Sequence, residues 1–162
     1  MTYFIGIDPG KSGGLVALSS SGKIEEASVM PSTETDIANW FGGYSNLING
    51  HNYALIEKVH AMPGQGVTSM FTFGRNFGFL RACLCCNEIP FNEIQPREWQ
   101  KAFGIPSKKK TENKRQFKIR LLEKAQQLFP SFPLWKEPRA LGRQLSICDA
   151  LLIAEFCRRI YG

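Results

Sequence analysis

Three carboxylates stand where a chain presents side chains for chemistry. Asp8 follows the apolar run Tyr3-Phe4-Ile5-Gly6-Ile7 and is itself followed by Pro9-Gly10, so the chain turns as soon as the acid has been presented. Glu57 closes a second apolar run, Tyr53-Ala54-Leu55-Ile56. Asp149 lies within Ser146-Ile147-Cys148-Asp149-Ala150-Leu151, which predicts the first turn of a final helix. The carboxyl ends of strands are where ligands sit in open α/β sheets. Oxygen ligands on rigid element ends suit magnesium, and two ions roughly 4 Å apart can activate water on one side of a phosphate and stabilise the leaving oxygen on the other. Each acid also has an ordinary structural reading: a turn cap for Asp8, a strand-end charge for Glu57, a helix N-terminal charge for Asp149.

The elements that must position these acids follow from periodicity. Residues 3–7 and 15–18 flank the turn Asp8-Pro9-Gly10-Lys11-Ser12-Gly13-Gly14 and read as a hairpin, which 23–30 extends to an antiparallel meander. Ile37, Trp40 and Phe41 recur at helical spacing after a cap at Ser32 or Thr33. A buried strand is expected at 53–56 and a helix buried along one side at 67–84, where apolar residues recur at three- and four-residue steps. A strand at 89–94 follows, then helices at 96–103, 111–129 and 147–160, with Pro130, Pro133 and Pro138 punctuating an irregular connection. Three antiparallel strands followed by β-α-β units predict one α/β domain over 1–162, a five-stranded mixed sheet with helices on both faces, as in a ribonuclease H-like fold.

Charge is unevenly spread. The chain of 162 residues carries a formal +6, yet Lys101, Lys108, Lys109, Lys110, Lys114, Arg115, Lys118 and Arg120 fall within twenty residues beside the single acid Glu112. Such a segment on an otherwise balanced chain is the footprint of phosphate neutralisation, or a solvated helix face. Lys114 and Lys118 share a helix face with Arg115 nearby, a row able to follow a nucleic-acid backbone past the acids. Loop 60–66, with Met62, Pro63, Gln65 and two glycines, mixes an apolar wedge with closely approaching backbone, a combination suited to opened base pairs as well as to a plain connection. The five cysteines, an odd number, favour a reducing compartment and buried thiols over disulfides or a zinc site, and the expectation is a soluble, unexported protein of the cytoplasm.

Gly6-Ile7-Asp8-Pro9-Gly10, Ile56-Glu57-Lys58-Val59-His60, Gln95-Pro96-Arg97-Glu98-Trp99-Gln100 and Cys148-Asp149-Ala150-Leu151-Leu152-Ile153-Ala154, in this order and spacing, resemble the RuvC-type Holliday-junction resolvases. The segment from Met62 through Gly64-Gln65-Gly66 to Phe71 is similar to the phage and organellar branch. The resemblance implies a homodimer that grips a four-way DNA junction and nicks two strands of like polarity. It implies Mg²⁺ as cofactor, two ions per active site on Asp8, Glu57 and Asp149, with Mn²⁺ able to substitute. It also implies a stacking contact at His60, DNA contacts along Lys108, Lys109, Lys110, Lys114, Arg115 and Lys118, and a lysine of this region offsetting charge on the cleaved phosphate. The family carries a fourth acid three or four residues before the position of Asp149, where this chain has Ser146 and Leu145. That departure keeps a junction-binding protein with weakened or absent cleavage as the alternative. An ATP-binding enzyme of the actin and sugar-kinase type also opens on a Gly-x-Asp-x-Gly strand, but needs two such domains, for which 162 residues leave no room.

Overall fold

The computed structural model describes residues 1–48, 50–60, 64, 66–131 and 141–162. Three strands, β1 (Tyr3–Asp8), β2 (Gly14–Ser19) and β3 (Ile24–Val29), form the antiparallel meander. The helix α1 (Glu34–Gly42) follows, capped by Thr33, whose hydroxyl accepts from Asp36 N. Next come β4 (Tyr53–Glu57), α2 (Val67–Cys86), β5 (Phe91–Ile94), α3 (Pro96–Ala102), α4 (Lys114–Leu128) and α5 (Leu141–Tyr161). The sheet order is β3-β2-β1-β4-β5, with β4 and β5 parallel to β1. This is the α/β, ribonuclease H-like arrangement expected from the sequence.

Strand alternation divides the core in two, because successive side chains point to opposite faces of a sheet. Phe4, Val16, Leu18, Leu55 and Ile94 pack with α3, α4 and α5. Ile5, Ile7, Leu15, Ala17, Ala54 and Ile56 pack with α1 and the C-terminal half of α2. On the first face α5 lies almost on the strand backbone. A Cβ at Gly6 would come within 2.0 Å of Ala150 O and 2.3 Å of Ala154 N, so only glycine permits this approach.

Several boundaries depart from the sequence-based expectation. The last helix begins at Leu141, so Asp149 sits in its interior and not in its first turn, and the Ser146 hydroxyl donates to Gly142 O one turn back at 3.1 Å. Helix α4 starts at Lys114 instead of 111, because Asn113 caps it and Glu112 is held in the preceding turn by Arg120. Helix α2 buries only Leu80, Cys83 and Leu84, and Val67 and Phe71 are exposed. Its Cys85 and Cys86 are exposed as well, contrary to the expectation of buried thiols: they end the helix, beyond its last buried residue, Leu84. Residues Pro133 and Pro138 lie outside the described residues. No helix among the described residues is long and apolar enough to cross a membrane.

Candidate active site

Asp8 and Glu57 become neighbours through the sheet. The parallel register sets Gly6 against Leu55 and Ile7 against Ile56, so the next residue on each strand is the acid. Alternation turns both acids to the side of Phe4, Gly6 and Leu55, the side that α5 covers. Because Gly6 admits Ala150 onto β1, its helical neighbour Asp149 is delivered to the same end of the sheet. Helix α4 packs on α5 through Leu121, Leu122 and Ala125 and brings Lys114, Phe117 and Lys118 to the opposite wall. The result is a cleft of about 850 Å³ lined by Asp8, Glu57, Asp149, Ser146, Lys114 and Lys118 among others.

The turn after Asp8 is fixed from α2. Gly10, at φ +100°, donates its N–H to Asn76 Oδ1 at 2.8 Å and lies so close to the Phe73 ring that a Cβ there would collide with it at 2.7 Å. Glu57 Oε2 accepts from the Trp99 indole N–H at 3.1 Å. Asp149 is 6% exposed, and both its oxygens are engaged: Oδ2 by the Lys118 ammonium, Oδ1 by the Cys148 thiol at 3.2 Å.

Electrostatics identify the cleft as short of positive charge. Burial holds the Asp8 carboxyl well above the usual carboxylate range and the Asp149 charge raises it further, with Lys118 pulling the other way. Burial and Asp149 push Glu57 up to about 7 against the opposing effects of the Trp99 hydrogen bond and Lys118. Burial by itself would lower the Lys118 ammonium, yet Asp149 and Asp8 hold it above its ordinary value, so it stays charged. Burial and Asp149 raise the Cys148 thiol, which remains a protonated donor. As they stand, no three His, Cys, Asp or Glu side chains among the described residues are grouped to hold one ion. Lys118 occupies Asp149 instead. The donor set still suits a hard cation, since three carboxylates share one buried ammonium and two of them are held toward protonation.

No protein-family model and no curated protein matches this chain. Solved structures do. Thermus thermophilus RuvC in complex with a Holliday junction substrate superposes with a TM-score of 0.65 over 99% of this chain and 97% of that one, at 12% identity. A second Thermus thermophilus RuvC structure gives a TM-score of 0.60 over 96% and 95%, at 15% identity. The chain has the RuvC fold.

Within this RuvC fold the residues singled out from the sequence fall into groups. Asp8, Glu57, Asp149, Ser146, Lys114 and Lys118 share the cleft. Lys118, expected with Lys114 in a row of cations passing the acids, is turned onto Asp149, with its side chain 23% exposed. Arg115 and the loop residues Lys108, Lys109 and Lys110 are exposed and do not line the cleft, and His60 is exposed just beyond Glu57. Arg120, counted in the basic segment, is neutralised by a two-pronged pair with Glu112, Nε to Oε1 at 2.7 Å and Nη2 to Oε2 at 2.8 Å. Met62, Pro63 and Gln65 lie outside the described residues. Asn76, Trp99 and Cys148 were not anticipated. Trp99 and Cys148 stand within the sequence blocks that resemble the resolvases, Cys148 directly before Asp149, whereas Asn76 carried no signal.

Proposed function

We propose that this protein is a Mg²⁺-dependent endonuclease that binds four-way DNA junctions as a homodimer and resolves them by paired nicks. The observation that carries the reading is the convergence of Asp8, Glu57 and Asp149, from three separate elements, on one cleft walled by the cationic helix α4. It is supported by a fold shared with a RuvC bound to a Holliday junction. Asp8, Glu57 and Asp149 would hold the metal, which when bound supplies a water made nucleophilic and charge stabilisation for the phosphodiester. Lys114 at the mouth and Lys118 within offer ammonium groups to the incoming phosphate, and the exposed Lys108, Lys109, Lys110 and Arg115 extend that field outward. Two opposed cuts call for two sites. The exposed face of α2 is the surface for a second copy: Val67 is 85% and Phe71 73% exposed, and nothing lies within 4 Å of where a side chain at Gly74 or Gly78 would begin.

A junction-binding protein with weakened cleavage is the second reading. It is favoured by Ser146, which lines the cleft one turn before Asp149 but commits its hydroxyl to Gly142 O and offers no carboxylate. Cleavage of four-way junction, flap and linear duplex DNA in Mg²⁺ at fixed salt separates the readings. Wild type should cut the junction preferentially, Asp8→Asn should bind it without cutting, and Ser146→Asp should cut faster. Binding without cleavage by wild type would select the second reading, and equal action on linear duplex would refute both.

A further inference from the structure

Trp99 is fully buried, yet it is tied to the cleft. Its ring fills the core between the sheet and the α3–α5 layer, beside Phe4, Leu55, Ile94 and Phe103. An indole brings an N–H that must find an acceptor once it is out of water. Among the described residues that acceptor is Glu57 Oε2, 42 positions away in the sequence and 3.1 Å away in space.

The backbone around this contact is tightly determined. The parallel register sets Glu57 against Ile94, and Lys58 donates to Ile94 O at 2.8 Å, so the ends of β4 and β5 move as one. Helix α3 starts two residues beyond β5 with Pro96 at its first position, and Glu98 Oε1 accepts from Gln95 N at 3.2 Å. One turn later Trp99 arrives under Glu57. A glutamate has three rotatable side-chain bonds, and a carboxylate at a strand end facing an open cleft has nothing intrinsic to select one orientation. The indole selects one, because it fixes Oε2 from the core side and leaves Oε1 without a protein donor among the described residues.

We propose that Trp99 is a positioning residue of the metal centre, its indole N–H locking Glu57 so that the carboxylate is presented to a divalent cation in one orientation. This rests on the metal reading of the cleft given above. Partners one step removed from a metal typically change its affinity by roughly 10- to 100-fold when lost. The test uses the full chain in two forms: Trp99→Phe, and Trp99 replaced by β-(3-benzothienyl)alanine, which keeps the ring volume and lacks the donor. Calorimetric titration with Mn²⁺ should show both forms binding roughly tenfold or more weakly than wild type, while the benzothienyl form melts at the wild-type temperature. In ¹⁵N-labelled wild type, the indole N–H resonance absent from Trp99→Phe should move as Mg²⁺ is added. Undiminished Mn²⁺ affinity in the benzothienyl form, or an indole resonance indifferent to saturating Mg²⁺, would overturn the role of Trp99. The benzothienyl form decides the matter if Trp99→Phe fails to fold. Failure of wild type to bind Mn²⁺ at all would instead overturn the metal reading on which the proposal stands.

Discussion

Helices α5 and α2 are almost the same length, 21 and 20 residues, and both lie against the sheet, but they use their apolar surface in opposite ways. Helix α5 buries an unbroken run from Ile147 to Glu155 and touches β1 and β2 through glycines that let backbone meet backbone. Helix α2 buries three residues near its C-terminal end and leaves Val67, Phe71, Gly74 and Gly78 to solvent. Fixed packing on α5 positions Asp149 opposite Asp8. Surface left uncovered on α2 is available for association. The same residue classes thus build the site in one helix and, in the reading advanced here, the assembly in the other.

The largest effect expected from breaking this contrast is at Gly6. Gly6→Val would drive a side chain into Ala150 O and the Ala154 backbone, neither of which can move aside as a rotamer can. Destabilisation of at least about 3 kcal/mol is expected, the upper end for overpacked cores, read as a lowered denaturant midpoint or loss of soluble protein. A fully stable Gly6→Val would show that α5 is not seated on β1 as described. Phe71→Glu should leave the monomer's fold intact, as for ordinary surface positions, while converting a dimer to a monomer in sedimentation and removing the dependence of melting on protein concentration. A dimer that persists in Phe71→Glu would remove α2 from the interface.

The sequence made the strands readable because β1, β2 and β4 end at sharp chemical boundaries: Asp8-Pro9-Gly10, Ser19-Ser20-Ser21-Gly22 and Glu57. It did not make the start of α5 readable. Gly142 and Ser146 look like loop residues because that part of the helix lines the cleft instead of the core. Lys118 was legible as a cation on an amphipathic helix, but its inward turn depends on Asp149, 31 residues away, and on how α4 packs against α5. Glu57 was legible as a strand-end acid, whereas its hydrogen bond to Trp99 depends on the β4–β5 register. Contacts that cross elements leave no periodicity, so they emerge only from the assembled fold.

The central claim is that Asp8, Glu57 and Asp149 together bind a divalent cation. Calorimetric titration of the metal-free protein with Mg²⁺ at pH 6 and pH 8 tests it most directly. Glu57, pushed up to about 7, holds a proton at the lower pH that the metal must displace, and burial raises Asp8 in the same direction. The same raised values mean that the metal-free fold loses stability as pH rises from the ordinary carboxylate range through 7, because the folded state binds protons that the unfolded chain has already released. Mg²⁺ should therefore bind about tenfold more tightly at pH 8 for the one carboxylate near 7, with proton release at pH 6, and Asp8→Asn should abolish the binding. Mg²⁺ binding that is absent from wild type, or equal at the two pH values and untouched by Asp8→Asn, would contradict it.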